Sequence, residues 1–137
     1  MSIDAAIREL RARNEPVPLP LRLPTEAEVA IAERAIGQPF PADYRRFLFE
    51  ASDVAFGTLE PAVVTPDAGH LALTTVVRDA RALGVSDDLL PFCEDNGDYY
   101  CLTRNGLVRF WSHNGLSHDS WPDLATWIRD VWLAESS

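Results

Sequence analysis

The chain of 137 residues carries 21 acidic and 12 basic side chains, a formal net charge of −9 at pH 7, with 47% hydrophobic and 24% charged residues. These values are usual for one globular domain, so we expect residues 1–137 to fold around a single core without disulfide or metal. Every basic residue is Arg, and the acidic excess argues against a nucleic-acid binder, because neutralising phosphates requires clustered positive charge.

The N-terminal stretch mixes acidic and basic residues and lacks the continuous apolar run of a signal peptide. No stretch approaches the roughly 20 apolar residues that cross a bilayer. We therefore expect a cytoplasmic protein that does not insert into membranes, and the Cys residues fit a reducing compartment.

The first 24 residues predict a helix followed by an extended segment. Ser2 is placed to cap a helix that ends near Arg13. Prolines at 16, 18, 20 and 24 then enforce an extended backbone, in which Val and Leu alternate with the prolines. Because a free linker would rarely carry so many apolar residues, we expect this segment to pack on the N-terminal helix and lie across the core.

Start and stop signals predict four more helices. Thr25 and Glu28 form a capping box, and Gly37 is a typical C-terminal stop. The helices expected from such signals and from apolar periodicity run from Thr25 to Gly37, from Pro41 to Ala51, from Leu73 to Leu83 and from Ser120 to near Glu135. Between them, the β-leaning pieces 56–60 and 62–65 predict short strands, interrupted by prolines.

The strongest β signal lies between Leu89 and Trp111. Strands are predicted over 89–94, 99–104 and 107–111, and Asn96-Gly97 and Asn105-Gly106 separate them. Asn-Gly favours the type I′ turn, whose central residues both need positive φ. Two such turns in succession predict an antiparallel meander. The expected fold is therefore α+β, with a central antiparallel sheet flanked by helices.

Two-residue turns also predict the register. Cys93 should face Tyr100, Cys101 should face Phe110, and Tyr100 should face Trp111. The cysteines then lie on opposite faces and cannot form a disulfide. The face better suited to the core carries Leu90, Phe92, Cys101, Val108 and Phe110. The other face is mixed and carries Cys93, Tyr100, Leu102, Arg104, Arg109 and Trp111.

The densest acidic cluster runs from Glu94 to Asp98, around the first Asn-Gly turn. It is either a hairpin turn built from turn-favouring residues or a patch that docks a partner, and the sequence alone supports both equally. A metal site is disfavoured, because the spacing is not that of an EF-hand. We expect no cofactor and no metal.

The histidines do not suggest an enzyme. His70, His113 and His118 lack the spacing of a zinc site. Ser112, His113 and Asp119 are residue types found in hydrolases, but no G-x-S-x-G motif accompanies them. The sequence therefore favours a protein without catalytic residues.

A set of ordered motifs resembles the SUKH superfamily, which includes yeast cell-wall-synthesis regulators and many bacterial immunity proteins. The motifs that carry the resemblance, all after Thr25, are Ala35-Ile36-Gly37, Phe40 to Leu48, Leu89-Leu90-Pro91-Phe92, Asn96 to Leu102 and Trp121 to Leu133. The resemblance implies a central antiparallel sheet with helices, and it implies no catalytic set.

For a bacterial member, the resemblance implies an immunity protein that binds and neutralises a cognate toxin, often a nuclease. The acidic charge fits a basic partner. The alternatives are a regulatory or scaffold module that binds an endogenous protein and, less favoured, a hydrolase that uses His113. The sequence leaves the oligomeric state open. The candidate partner contacts are Glu94, Asp95, Asp98, Tyr100, Arg109, Trp111 and His113.

Overall fold

The fold is α+β, as the sequence predicts. The structure, a computed structural model, describes the backbone of residues 1–136 and the side chains of residues 1–134. Its sheet has five antiparallel strands in the order of the chain. The strands are β1 Glu60–Pro61, β2 Leu90–Asp95, β3 Asp98–Leu102, β4 Val108–Ser112 and β5 Gly115–Trp121. The helices are α1 Ile3–Ala12, α2 Glu26–Ile36, α3 Ala42–Ala51, α4 Leu73–Leu83 and α5 Leu124–Trp127.

The first four helices begin and end close to their sequence signals. The Thr25 hydroxyl accepts from the Glu28 backbone N–H at 3.2 Å, and the Glu28 carboxylate accepts from the Thr25 N–H at 2.9 Å, which completes the predicted capping box. Gly37 and Gly84 end α2 and α4 with left-handed φ values of 79° and 112°. These local signals act within one turn of helix, which is why the sequence locates them well.

No helix in residues 1–136 is long and apolar enough to cross a membrane.

The last helix differs from the prediction. Residues from Ser120 to Trp121 belong to β5, and Asp123 caps α5 by accepting from the Thr126 N–H at 2.8 Å. A π-helical turn, Ile128–Trp132, and a 3₁₀ turn, Leu133–Ser136, continue from α5. Trp127 of α5 and Trp132 of the π-helical turn both lie in the core, where each is 1% exposed.

The first hairpin turn is the predicted one and the second is not. Asn96 and Gly97 both have positive φ, 53° and 89°, as a type I′ turn requires. At the second turn only Gly106 does, with φ 89°; its N–H donates to Thr103 C=O at 3.0 Å. This is a three-residue loop in which Gly106 follows an ordinary turn, and it shifts the register by one residue.

The register of β4 is therefore corrected. Tyr100 pairs with Phe110 and Cys101 with Arg109, whereas Cys93 pairs with Tyr100 as predicted. The β4 residues consequently exchange faces relative to the predicted division. A bulge in β2 between Pro91 and Cys93 adds a further departure, because it turns Phe92 to the side of Tyr100.

Both faces of the sheet are covered by helices. On one face, Trp127 of α5 packs against Phe92 and Tyr100, at ring-centroid distances of 4.9 and 5.2 Å, and Tyr44 of α3 lies 6.0 Å from Phe92. On the other face, α4 packs on β2, and Trp111 lies beneath its C-terminal Gly84.

The cysteines are free and buried, as the predicted opposite faces require. Cys93 lies on the side of Tyr100, and Cys101 lies on the side of Arg81 in α4. Burial raises the pKa of the Cys101 thiol to about 12, so it stays protonated at neutral pH.

The proline segment does not lie across the core, which corrects that part of the prediction for residues 1–24; the predicted helix before it is present as α1. Residues 11–20 are exposed, with Leu19 at 88%, and within residues 16–24 only Pro24 is buried. The helices α3 and α5 cover that face of the sheet instead, and α1 packs on these two helices through Ala6, Ile7 and Leu10. Because helices cover this face of the sheet, the extended proline segment runs outside the core.

Two strand predictions also change. Of residues 56–65, only Glu60–Pro61 joins the sheet, and Val63 makes an isolated bridge to Ala72. Strand β5 was not predicted, although Asn114-Gly115 repeats the Asn-Gly signal at its start, with Gly115 at φ 100°.

Candidate partner-binding site

Five of the seven predicted contact residues lie toward one end of the sheet. Glu94 and Asp95 end β2, Asp98 begins β3, and His113 occupies the β4–β5 turn. The His113 Nδ1 atom lies 3.4 Å from Asp98 Oδ1, so two different turns meet there. Tyr100, half-buried on β3, borders the same end through a cleft that it shares with Asp95.

A cleft of about 400 Å³ opens between β1, the end of β2 and α4. Of the described residues that line it, four are acidic and none is an Arg. The carboxylates are those of Glu60, Asp79, Glu94 and Asp95; His70 and Tyr99 also contribute to the wall. The sequence singled out only Glu94 and Asp95, because Glu60 and Asp79 belong to other elements and approach them through tertiary packing.

The pairing of β1 with β2 places Glu60 directly opposite Glu94. Like charges opposite each other on neighbouring strands destabilise a sheet. Glu94 is tied by the turn itself, since its carboxylate accepts from the Gly97 N–H at 3.0 Å. A cationic group brought into this cleft would relieve that repulsion.

The pKa of the Tyr99 phenol, at the wall of the cleft, is affected by the negative charges there. Burial first, and then the charges of Glu94 and Asp79, raise the pKa of its phenol. The phenol therefore stays neutral at physiological pH and can act as a hydrogen-bond donor or acceptor.

A second cleft of about 490 Å³ continues from the first. Both clefts are lined by Thr58, Leu59 and Asp95, and the second adds Tyr100, Asp130 and Val131. We call the two together the acidic groove. It runs from α4, around the end of β2, to the π turn after α5. Asp130 is paired with its neighbour Arg129 at 2.7 Å, and Asp79 in the first cleft is paired with Arg78 at 3.4 Å. The first cleft holds four of the carboxylates, and the second holds two.

Arg109 and Trp111, the other two predicted contacts, do not line the groove. Arg109 donates to the carbonyls of Ser117 and Asp119, at 2.9 and 3.3 Å, and so bridges an irregular stretch of β5. Trp111 is 8% exposed and packs against Tyr99, with ring centroids 6.1 Å apart. Both side chains are engaged within the molecule.

The three hydrolase-type residues are not joined into a catalytic arrangement by their described hydrogen bonds. The Ser112 hydroxyl accepts from the Asn114 N–H at 3.2 Å, and Asp119 bonds to Ser117 at 3.1 Å. His113 faces Asp98 instead. Among the described residues, no group of three or more His, Cys, Asp or Glu side chains is arranged to hold a metal ion.

Comparisons with known proteins agree with the fold. The family model described as SMI1-KNR4 cell-wall, a SUKH model, matches residues 3–133. The crystal structure of a protein from Pseudomonas syringae pv. tomato is similar, with a TM-score of 0.91 and 40% sequence identity over 96% of this chain and 98% of that chain. No curated protein matches the sequence. With nearly the whole length matched, the chain belongs to the SMI1-KNR4 cell-wall family of the SUKH superfamily.

Proposed function

We propose that this protein is a cytoplasmic immunity protein that binds a cognate bacterial toxin and blocks it without catalysing a reaction. The observation that carries the proposal is the acidic groove, a concave surface with carboxylates on its walls and the half-buried Tyr100 in the lining of its second cleft. Membership of the SUKH superfamily supports the same role.

The groove favours a basic partner. With a net charge of −9 and carboxylates gathered in one concave surface, the protein would attract a positively charged protein and increase its association rate. A toxin that cleaves nucleic acid commonly carries such a surface where it meets phosphate. Covering that surface with the groove would prevent the substrate from binding.

Within the predicted contacts, the structure supports a division of roles. Glu94, Asp95 and Asp98 would supply charge complementarity, and Tyr100 would supply an aromatic anchor. The Tyr100 ring is held from several sides, by Phe110 at 4.9 Å and Trp121 at 5.8 Å, so little conformational entropy would be lost on binding. His113 would extend the contact at the turn, whereas Arg109 and Trp111 would act indirectly by holding the sheet.

The proposal predicts that a neighbouring gene encodes the toxin, and that toxin is the partner used in the test; absence of such a gene would count against the immunity role. The purified pair should form a complex, and Glu60→Gln/Glu94→Gln should weaken it by tenfold or more. A matched control, Glu26→Gln/Asp88→Asn, makes the same change in net charge at exposed positions outside the groove. Equal weakening by both double variants would exclude the groove as the contact, and failure of the protein to protect cells from that toxin would exclude the immunity role.

A regulatory module that binds an endogenous protein is the second candidate, favoured by the cell-wall description of the family. It would use the same groove, because an acidic concave surface does not distinguish a toxin from a basic regulator. Capture of a chromosomally encoded partner from cells that lack the toxin would favour this candidate.

A further inference from the structure

One row of side chains crosses the sheet at the first cleft of the acidic groove. The register places Glu60 of β1 opposite Glu94 of β2, and Glu94 opposite Tyr99 of β3. Residues directly opposite each other on neighbouring strands project from the same face of a sheet, and the strands lie about 4.8 Å apart. All three residues line the first cleft, together with Asp79 of α4. The row therefore forms the floor of a cleft that α4 borders.

Tyr99 presents to this cleft a hydroxyl that has no partner. The residue is only 4% exposed, and its ring packs against Trp111. Within residues 1–134 its hydroxyl makes no hydrogen bond, yet the oxygen is not sealed in the core, and the residue belongs to the wall of the cleft. The charges of Glu94 and Asp79 act on the phenol, so both carboxylates lie near it. A polar group that is held firmly and left unpaired is placed to bind a ligand.

Glu60 and Glu94 supply further acceptors in the same row. The Glu60 carboxylate makes no hydrogen bond or ion pair with any described residue. Glu94 accepts from the Gly97 N–H at 3.0 Å through Oε2, and its Oε1 atom accepts no hydrogen bond from the described part of the chain. The cleft thus offers acceptors on three neighbouring strands, two of them charged.

The spread of these acceptors favours a planar cation over a metal ion. Among the described residues, no three His, Cys, Asp or Glu side chains are arranged to hold one metal ion. A guanidinium presents five N–H donors in a flat fork and can donate to two carboxylates at once, whereas an ammonium concentrates three donors at one point. Acceptors distributed along a row match the distributed donors of a guanidinium.

The shape of the acidic groove favours a guanidinium that is carried by a polypeptide. The first cleft continues past Thr58, Leu59 and Asp95 into the second cleft, which Tyr100 and Val131 also line. A guanidinium bound in the first cleft would leave the second cleft for the main chain and neighbouring side chains of the molecule that carries it. The groove is therefore larger than a small cation needs.

We infer that the first cleft is a binding site for one arginine side chain of the partner, whose guanidinium donates to the carboxylates of Glu60 and Glu94 and to the Tyr99 hydroxyl. This inference rests on the proposed function, because the partner is the protein that binds the acidic groove. Asp79 adds negative charge from α4. The guanidinium would also separate the two like charges that face each other across β1 and β2.

NMR titration of the protein with three blocked amino acids tests the inference without any toxin. The probes are the acetylated methylamides of arginine, lysine and citrulline, the last an uncharged analogue of arginine. The arginine probe should shift the amide signals of Glu60, Glu94 and Tyr99 and bind about fivefold more tightly than the lysine probe. The citrulline probe should give no saturable shift. Equal affinity for arginine and lysine, or no saturable shift with arginine, would overturn the inference.

Two single variants locate the site. Tyr99→Phe keeps the ring that packs on Trp111 and removes a hydroxyl without a partner, so it should weaken binding of the arginine probe about fivefold and leave the thermal midpoint unchanged. Glu60→Gln should weaken binding at least as much. Glu26→Gln is the matched control, because it removes one exposed carboxylate outside the groove. An equal effect of the control would show that net charge, not the cleft, binds the probe.

The titration also separates this inference from the proposed function. Protection of cells from the toxin without binding of the arginine probe would overturn the arginine site and leave the immunity role standing. Binding of the arginine probe with no protection would support the site and exclude the immunity role.

Discussion

Glu60 of β1 lies directly opposite Glu94 of β2, two carboxylates paired across the edge of the sheet at the wall of the acidic groove. A pair of like charges in this position costs stability in the free protein. Its presence at a concave surface is consistent with a site that gains from a positively charged partner.

The first prediction concerns this pair. Glu60→Gln should stabilise the free protein by about 0.2–1 kcal/mol, because it removes the cross-strand repulsion. Urea denaturation measures the change, with Glu26→Gln as a control for the loss of one exposed carboxylate elsewhere. The same Glu60→Gln change should weaken binding of the proposed basic partner. A loss of stability would contradict the assigned electrostatics.

The second prediction concerns pH and Glu28. The hydrogen bonds from Arg22 first, and from the Thr25 backbone second, lower the pKa of Glu28 from 4.5 to about 2. Because the folded state lowers this pKa, the carboxylate stabilises the fold above the unfolded-state value and loses that contribution as pH falls from about 4.5 toward 2.

The measurement for Glu28 is the difference in unfolding free energy between the unaltered protein and Glu28→Gln, followed from pH 6 to pH 2. The unaltered protein should be the more stable at pH 6, and the gap should narrow across the acid range. Glu9→Gln, at an exposed helix surface, should give a smaller difference. If the difference in unfolding free energy stayed constant with pH, the charge of Glu28 would make no contribution to that difference.

The third prediction concerns the cap of α2. Thr25→Ala should cost about 1 kcal/mol, because the Glu28 N–H loses its side-chain acceptor and the reciprocal bond is weakened. Thr74→Ala, in the first turn of α4, removes an exposed hydroxyl that does not cap its helix and should change stability by less. Thermal unfolding followed by circular dichroism compares the two.

The fourth prediction separates a structural role of Arg109 from a binding role. Arg109→Ala should cost about 1 kcal/mol and increase amide exchange in residues 115–121, because the carbonyls of Ser117 and Asp119 lose their donor. Arg104→Ala, in the exposed β3–β4 turn, should leave exchange in β5 unchanged. If Arg109→Ala left amide exchange in β5 unaltered, Arg109 would again be a candidate for direct contact with the partner.

The fifth prediction uses the buried thiols. Neither cysteine should react with a thiol reagent at pH 8 in the native protein, because Cys93 and Cys101 are fully buried and burial raises the pKa of Cys101. Both should react after unfolding in guanidinium. Leu19→Cys should react at once under native conditions and serves as the positive control. Rapid reaction of a natural cysteine would indicate frequent local opening of the sheet.

The candidate site could be predicted only in part. Glu94, Asp95 and Asp98 surround one turn, so their proximity follows from adjacency along the chain. Glu60 and Asp79 reach the same cleft by strand pairing and helix packing, which no local pattern encodes. The sequence predicts Arg109 as a partner contact, but its side chain donates to carbonyls of β5, a strand that the sequence does not predict.

Local chemistry by itself determined the helix caps, the Asn96-Gly97 turn and the antiparallel meander, because each depends on residues within a few positions of one another. Tertiary structure decided the register of β4, the exposure of Leu19 and the assembly of the acidic groove. The register of β4 depends on which of two turn geometries forms between β3 and β4. The exposure of Leu19 depends on which helices cover the sheet, and the acidic groove depends on contacts between segments distant in sequence. The free-energy differences between these alternatives depend on the packing of the whole core.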